Sequence, residues 1–484
     1  MPTIQHGIYI QEEATTLVTP IVADAGIPVI IGLAPVNQLD DPSSAVNVPI
    51  LANSAIEAME ELGYNTDFSH FTCCQLMYVT ANVYQVSPCV YINVLDPARH
   101  TTAVTAQTIA VSELQATLDV VGMLPSTVVV KKDAETTLVK NTDYTLAFTT
   151  SGALEINLTA TGAGAAATSL IVSGTKLDPS KVTYEDIIGA YDVNTGKETG
   201  MQVVRQVYPK LGVIPGTLIA PGYSHIPAVG VALAAKAAQI NGSFKAIAMV
   251  DLDTTLAVKY TDVKNVKENS GFTSNYGVCL WPYDKLGDYV FPKSVTWAAL
   301  MSYNDANNGN IPSRSPSNKL NQMTGQCLAS GAEVVLDQDQ ANTVNSYGVC
   351  TALNINGWRT FGNYMECYPA NNDAKDMWIP VRRMFNWQGN TFLLTYFSRV
   401  DDPMNRRLID AIIDSENIRC AAYAPDHWAG ATIEYLADDN PTTDILAGKI
   451  TFRQHIAPYT PAQTIINILN YDIDTLTTVL NGEG

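Results

Sequence analysis

Leu218-Ile219-Ala220, then Val229-Gly230-Val231-Ala232-Leu233-Ala234-Ala235-Lys236-Ala237-Ala238-Gln239-Ile240, then Ala246-Ile247-Ala248-Met249-Val250 follow one another along the chain, and their order decides the fold. Two short apolar runs read as strands, and the Ala-rich stretch between them reads as a helix, so the three make a right-handed parallel unit. Downstream, Val278-Cys279-Leu280-Trp281 supplies a third strand and the segment from Ser294 to Tyr303 another helix. Upstream, Thr183 leads through Tyr184-Glu185-Asp186-Ile187-Ile188-Gly189 into the unit. Earlier still come a strand at Val29-Ile30-Ile31-Gly32-Leu33, a helix from Asn53 to Leu62 capped by Asn53 or Ser54, and a strand at Val90-Tyr91-Ile92-Asn93-Val94-Leu95. Strands and helices in this alternation predict a doubly wound sheet.

Between residues 101 and 182 the texture changes. Val128-Val129-Val130, Tyr144 to Phe148, Leu154 to Leu158 and Ser169 to Val172 are separated by polar or Gly-rich turns, the spacing of short antiparallel strands. The stretch Thr161 to Ala167 has no side chain large enough for a core and reads as a loop. After about 360 a last unit follows: a strand or helix around Met377 to Phe385, a helix from Asn405 to Asp414 that extends as far as Arg419, and strands at Ile433 to Leu436 and Lys449 to Arg453. Beyond Pro461 the runs Thr464 to Leu469 and Ile473 to Leu480 read as β-like, as does the opening Ile4 to Glu13. The expected fold is therefore multidomain α/β and α+β. A central α/β domain (21–100 and 183–360) is interrupted by a β-sandwich-like insertion (101–182). An α+β domain (361–470) follows, with extended arms at 1–20 and 471–484.

At 484 residues the chain is long enough for about three folding units with their own cores. Only 15% of residues are charged, against a typical ~25%, which fits a surface rich in Ser, Thr and Asn or one covered by other subunits. A formal charge of −19 repels a phosphate backbone, so direct nucleic-acid binding is not expected. The eight cysteines show no CxxC pair and read as reduced, buried thiols. Met1 to Gly7 has no basic or apolar leader, and no stretch approaches ~20 uninterrupted apolar residues. The reading is cytoplasmic synthesis and no membrane insertion.

Signatures of catalysis are weak. Gly222-Tyr223-Ser224-His225 follows a strand but lacks the GxSxG elbow. Asp251-Leu252-Asp253 sits at a strand end without the Gly-Lys loop that would cradle phosphates. Asp438-Asp439-Asn440 lacks the twelve-residue calcium-loop pattern and reads as a turn, and Cys73-Cys74 as two adjacent thiols. No catalytic, cofactor or metal site is expected. More informative are six of the eleven arginines, which fall between 382 and 419: Arg382, Arg383, Arg399, Arg406, Arg407 and Arg419. They read either as intrahelical partners of Asp410, Asp414 and Glu416 or as a basic face for an acidic protein partner.

Three blocks resemble the sheath protein family of contractile tails in myophages and phage-tail-like bacteriocins. They are Gly7-Ile8-Tyr9-Ile10-Gln11-Glu12 followed by Gly26-Ile27-Pro28-Val29-Ile30-Ile31-Gly32; Leu353-Asn354-Ile355-Asn356-Gly357-Trp358-Arg359-Thr360-Phe361-Gly362-Asn363; and Phe397-Ser398-Arg399-Val400-Asp401-Asp402-Pro403. The resemblance implies subunits stacked as six-membered rings around an inner tube of a different protein, bounded by baseplate and tail terminator proteins. It places the carboxyl-terminal domain innermost, facing the tube, and the insertion outermost. It implies that terminal arms add strands to neighbours' sheets, which assigns Ile4, Ile8, Tyr9 and Ile10 to one arm and Ile473, Leu476, Val479 and Leu480 to the other. The six arginines become candidates for facing the tube. Assembly in a bacterial host cytoplasm, into a virion tail or a released bacteriocin particle, follows from the same resemblance. Two rivals are a hydrolase on the α/β domain, which needs a convergent Ser, His and Asp, and a non-catalytic self-assembling surface or adhesive protein, which needs a secretion signal.

Overall fold

The computed structural model describes residues 21–22 and 26–482. Its centre is an eight-stranded sheet. In chain order the strands are β1 (Pro28–Gly32), β2 (Pro49–Ala52), β3 (Cys89–Asn93), β4 (Thr217–Ile219), β5 (Ile247–Asp251), β6 (Gly277–Leu280), β7 (Val349–Asn354) and β8 (Trp358–Phe361). Their spatial order is β8-β7-β6-β5-β4-β1-β3-β2. The interior pairs are parallel, and an antiparallel strand closes each edge. The deciding βαβ unit is β4, the helix α1 (Pro227–Ala238) and β5, with Thr217 in register with Ile247. Pro227 opens α1, where its missing N–H costs nothing. The expected helix near Asn53 runs Ala55–Leu62, and of its two candidate caps Ser54 does the capping: its hydroxyl accepts from the Glu57 N–H at 3.1 Å. The helix α2 (Lys293–Ala306) packs beneath the sheet.

The chain steps from β1 to β3 on one side and later to β4 on the other. In open α/β sheets this switch point is where ligands bind. Here it is filled by protein. Leu33 N–H donates to Thr72 Oγ1 at 3.1 Å, and Cys73 N–H donates to the Leu33 carbonyl at 2.9 Å. A Cβ on Gly32 would lie 2.4 Å from Thr72 Oγ1, so the backbone approach depends on glycine.

Between β3 and β4 the chain builds two three-stranded antiparallel sheets. Gln115–Val121, Ala153–Leu158 and Tyr144–Phe148 form one; Thr101–Ala110, Ser169–Leu177 and Val129–Lys131 form the other. Leu118, Val130, Leu154, Ile156, Leu170 and Val172 fill the space between them as a core of their own. After β8 come the helices α3 (Ile379–Tyr396) and α4 (Arg406–Ala421), and a two-stranded sheet of Trp428–Glu434 and Arg453–Pro458. Trp428, Met384, Cys420 and Ile311 are buried together there.

Of the two alternatives left open around Met377 to Phe385 the structure takes the helix. Two sequence readings are corrected. The strand expected at Lys449 to Arg453 begins at Arg453. Ile473–Leu480 is a helix, α5, instead of a strand: Asp472 accepts from the Thr475 N–H at 3.0 Å, and its apolar residues recur at helical spacing. Residues 459–472 form no regular element. The strand read at Ile4 to Glu13 lies outside the described residues.

Candidate functional site

The two polar motifs that hinted at catalysis turn out to be parts of the core. Ser224 and Asp251 are buried, and the Ser224 hydroxyl donates to Asp251 Oδ2 at 3.0 Å. Asp251 also accepts from the Ser294 N–H at 2.9 Å and from the Ser294 hydroxyl, so this carboxylate ties the end of β5 to the first turn of α2. Burial holds its carboxyl above the ordinary aspartate range, against the pull of those donors. No histidine bonds Ser224 among the described residues. Asp253 caps its own turn through Thr255. Asp439 pairs with Arg453, and Asn440 donates to the Leu436 and Thr451 carbonyls, which makes that segment a stapled turn. Cys73 and Cys74 are free and buried, as are the other six cysteines.

The arginine cluster divides in two. Arg382 and Arg383 are buried: Arg382 bonds Asp376 at 3.1 Å with its guanidinium over the Tyr276 ring, and Arg383 holds Asp305 with two nitrogens. These two cannot belong to an exposed basic face, because their charges are already matched inside the protein. Arg419 is half-buried against Glu416 and Gln388. Burial opposes ionisation of Glu416, yet Arg419, Gln454 and Gln388 together hold its carboxyl below the usual glutamate range. Arg399, Arg406 and Arg407 remain exposed. Arg406 makes only the exposed helical pair with Asp410, and Arg399 a 3.6 Å pair with Asp402, contacts worth ~0.5 kcal/mol or less each.

The most unusual surface is the carboxyl-terminal segment. Ile465, Ile466, Ile468 and Leu469 are each at least 76% exposed, and Tyr471 is 78% exposed. On α5, Ile473, Leu476, Val479 and Leu480 also face solvent. So many apolar side chains left in water along one short segment are unusual for a folded subunit. The root of the segment is held to its own subunit, since Gln463 Nε2 donates to the Tyr364 hydroxyl at 3.0 Å. Nearby, the two-stranded sheet has no third strand among the described residues, so each of its strands offers an unpaired backbone edge. Sequence reading singled out Ile473, Leu476, Val479 and Leu480 as arm residues and not Ile465 to Tyr471, where the exposed apolar side chains are densest. Ile4, Ile8, Tyr9 and Ile10 lie outside the described residues.

Among the described residues no helix is long and apolar enough to cross a membrane, and no group of three His, Cys, Asp or Glu is placed to hold a metal.

No family model matches the chain. It is 28% identical over 426 residues to the tail sheath protein of Burkholderia phage BcepMu, covering 85% of each chain. Among solved structures, a chain of the anti-feeding prophage baseplate, 6-fold symmetrised, superposes with TM-score 0.58 at 14% identity, covering 97% of this chain and 100% of that one. A chain of the anti-feeding prophage helical sheath in its contracted state superposes with TM-score 0.57 at 13% identity, covering 96% and 99%. The mixed α/β architecture is shared with those two chains over nearly the whole length, and over 85% of the chain the sequence is similar to that of a phage tail sheath protein.

Proposed function

We propose that this chain is the repeating subunit of a contractile sheath. It polymerises as stacked six-membered rings around an inner tube and drives that tube into a target envelope by rigid-body rearrangement of its subunits. The observation that carries this reading is the exposed apolar tail beside a two-stranded sheet with open edges. A two-stranded sheet is marginal alone in water, and an extended segment from a neighbour would satisfy its edge while burying Ile465 to Leu469. In this reading residues 459–472 supply the extended part of the carboxyl-terminal arm. Ile473, Leu476, Val479 and Leu480 then anchor it through one face of α5. The segment containing Ile4, Ile8, Tyr9 and Ile10 is the second arm.

The sheets at 101–182 form the outer unit, the eight-stranded sheet (21–100 and 183–360) the body, and the domain read at 361–470, up to the arm that leaves it at 459, the unit facing the tube. Arg399, Arg406 and Arg407 are the basic groups available to that tube. A baseplate and a tail terminator bound the polymer, which assembles in a bacterial cytoplasm and ends in a virion tail or a bacteriocin particle. Contraction needs links that survive while rigid units turn, and swapped arms with short roots such as Pro461 meet that need.

Negative-stain microscopy of the intact chain, of a chain lacking residues 1–20 and of one ending at residue 460 tests this directly. Striated hollow tubes from the intact chain, and isolated subunits or rings from both truncations, are expected. Tubes of unchanged length from both truncations would refute the arm mechanism.

A further inference from the structure

The first 98 residues contain no lysine or arginine. In the fold this stretch supplies β2, the strand at one edge of the eight-stranded sheet, together with the helix Ala55–Leu62 that follows it. Glu60 and Glu61 are exposed on that helix, Asp40 and Asp41 are exposed on the connection leading into β2, and Ile56 sits among them with 69% of its surface in water. This edge is acidic with an apolar spot.

The opposite edge is its complement. Residues 318–321 run along the outside of β8, with the Thr360 N–H donating to the Lys319 carbonyl at 3.0 Å. Beside them opens a cleft of about 730 Å³ lined by Lys319, Arg359, Asn318, Asn356 and the arm root Pro461–Thr464, and none of its lining residues is a carboxylate. Arg314 adds a third cation: burial and then the nearby Arg314 charge hold the Lys319 ammonium below the ordinary lysine range. Lys319 and Arg314 have no acidic partner among the described residues, and Arg359 directs Nη1 at the Asn318 carbonyl at 3.2 Å. In a chain with 47 acidic and 28 basic residues, a cluster of unpaired cations stands out. Leu320 and Ile355, 54% and 49% exposed, supply apolar surface at the same edge.

We propose that these two edges meet between neighbouring copies of this chain, the acidic edge around Ile56 and Glu60 of one copy docking on the basic cleft at Lys319 and Arg359 of the next. Different patches on opposite edges make a head-to-tail contact, which repeats by rotation and closes a ring or continues as a helix. Opposite charges set the register and speed encounter, and the apolar spots supply the dry centre. Because the arm root forms one wall of the cleft, docking there also presses on the segment that carries the apolar tail. The proposal rests on the sheath reading for its partner, a second copy.

The test is charge reversal with repair. Lys319→Glu/Arg359→Glu and Glu60→Lys/Glu61→Lys are each expected to weaken self-association of the full chain at low salt by about tenfold or more, measured by sedimentation velocity. The chain carrying all four changes is expected to regain the parent's association. Circular dichroism melts that match the parent exclude misfolding as the cause. Tubes or oligomers that ignore every reversal would overturn this contact and leave the sheath reading standing. A parent chain that stays monomeric at every concentration would overturn both. Loss without repair in the fourfold variant would overturn the pairing of these two edges.

Discussion

Glu366 lies in the turn between β8 and α3, fully buried with its carboxylate against Gly277. It receives one long bond, from the Ser274 N–H at 3.3 Å, and its Oε1 has no partner. Lys267, whose charge acts on Glu366, directs its ammonium at three carbonyls instead, those of Tyr347 at 2.7 Å, Gly348 at 3.3 Å and Tyr368 at 2.8 Å. Burial therefore dominates, and the Glu366 carboxyl is pushed up from 4.5 to about 7, with Lys267 and Ser274 opposing only in part. Below about pH 4.5 the group is protonated whether the chain is folded or not. Between there and about 7 the unfolded chain releases the proton while the folded one keeps it, so stability falls as pH rises and levels off above 7. The fall attributable to this residue is about 3 kcal/mol. Glu366→Gln keeps the shape and removes the ionisation. Relative to the parent, its melting transition is expected to gain about 3–6 °C between about pH 5 and pH 8 in differential scanning calorimetry. Parallel melting curves for parent and variant across that range would refute the assignment of a raised carboxyl to this site.

Removing Arg383 leaves Asp305 as an uncompensated buried charge, so Arg383→Met is expected to lose roughly 3–5 kcal/mol in urea unfolding, whereas Arg406→Met, whose partner is exposed, is expected to change stability by less than about 0.5 kcal/mol. Trp428→Ala empties the centre of the carboxyl-terminal core and removes the indole bond to the Cys420 carbonyl. Its expected cost is about 3–5 kcal/mol, read as early loss of tryptophan fluorescence change on heating. Gly32→Ala drives a methyl into the Thr72 hydroxyl at the sheet's switch point and is expected to cost about 1–3 kcal/mol, read as a lower melting temperature. An unchanged melting temperature for Gly32→Ala would show that the crevice is looser than described.

Much of the body was legible because its signals are local. The strands β1, β4, β5 and β6 stand out as short apolar runs, and the helix joining β4 to β5 has the length and composition that a parallel crossover requires. The segment Ile473–Leu480 was not, since three threonines, an isoleucine and a valine favour a strand by propensity while Asp472 at the cap and the spacing of Ile473, Leu476 and Val479 favour a helix. With no neighbouring strand among the described residues to pair with, the local cap prevails.

The candidate surfaces show the same division. From sequence, Arg382 and Arg383 look like Arg406 and Arg407: each pair lies in an amphipathic segment close to acidic residues. What separates them is Asp305, 78 residues before Arg383, which the fold brings under α3. Likewise Ser224 and Asp251 are 27 residues apart, and only their convergence with Ser294 shows that the serine hydroxyl is committed to holding β5 to α2. Periodicity and composition, which act over a few residues, thus pointed to the α/β class and the antiparallel insertion. Which charges are buried, which remain free, and that the acidic and basic edges face opposite ways are set by contacts between distant segments. Tertiary structure alone decided them, because a side chain's electrostatic role depends on what surrounds it in space.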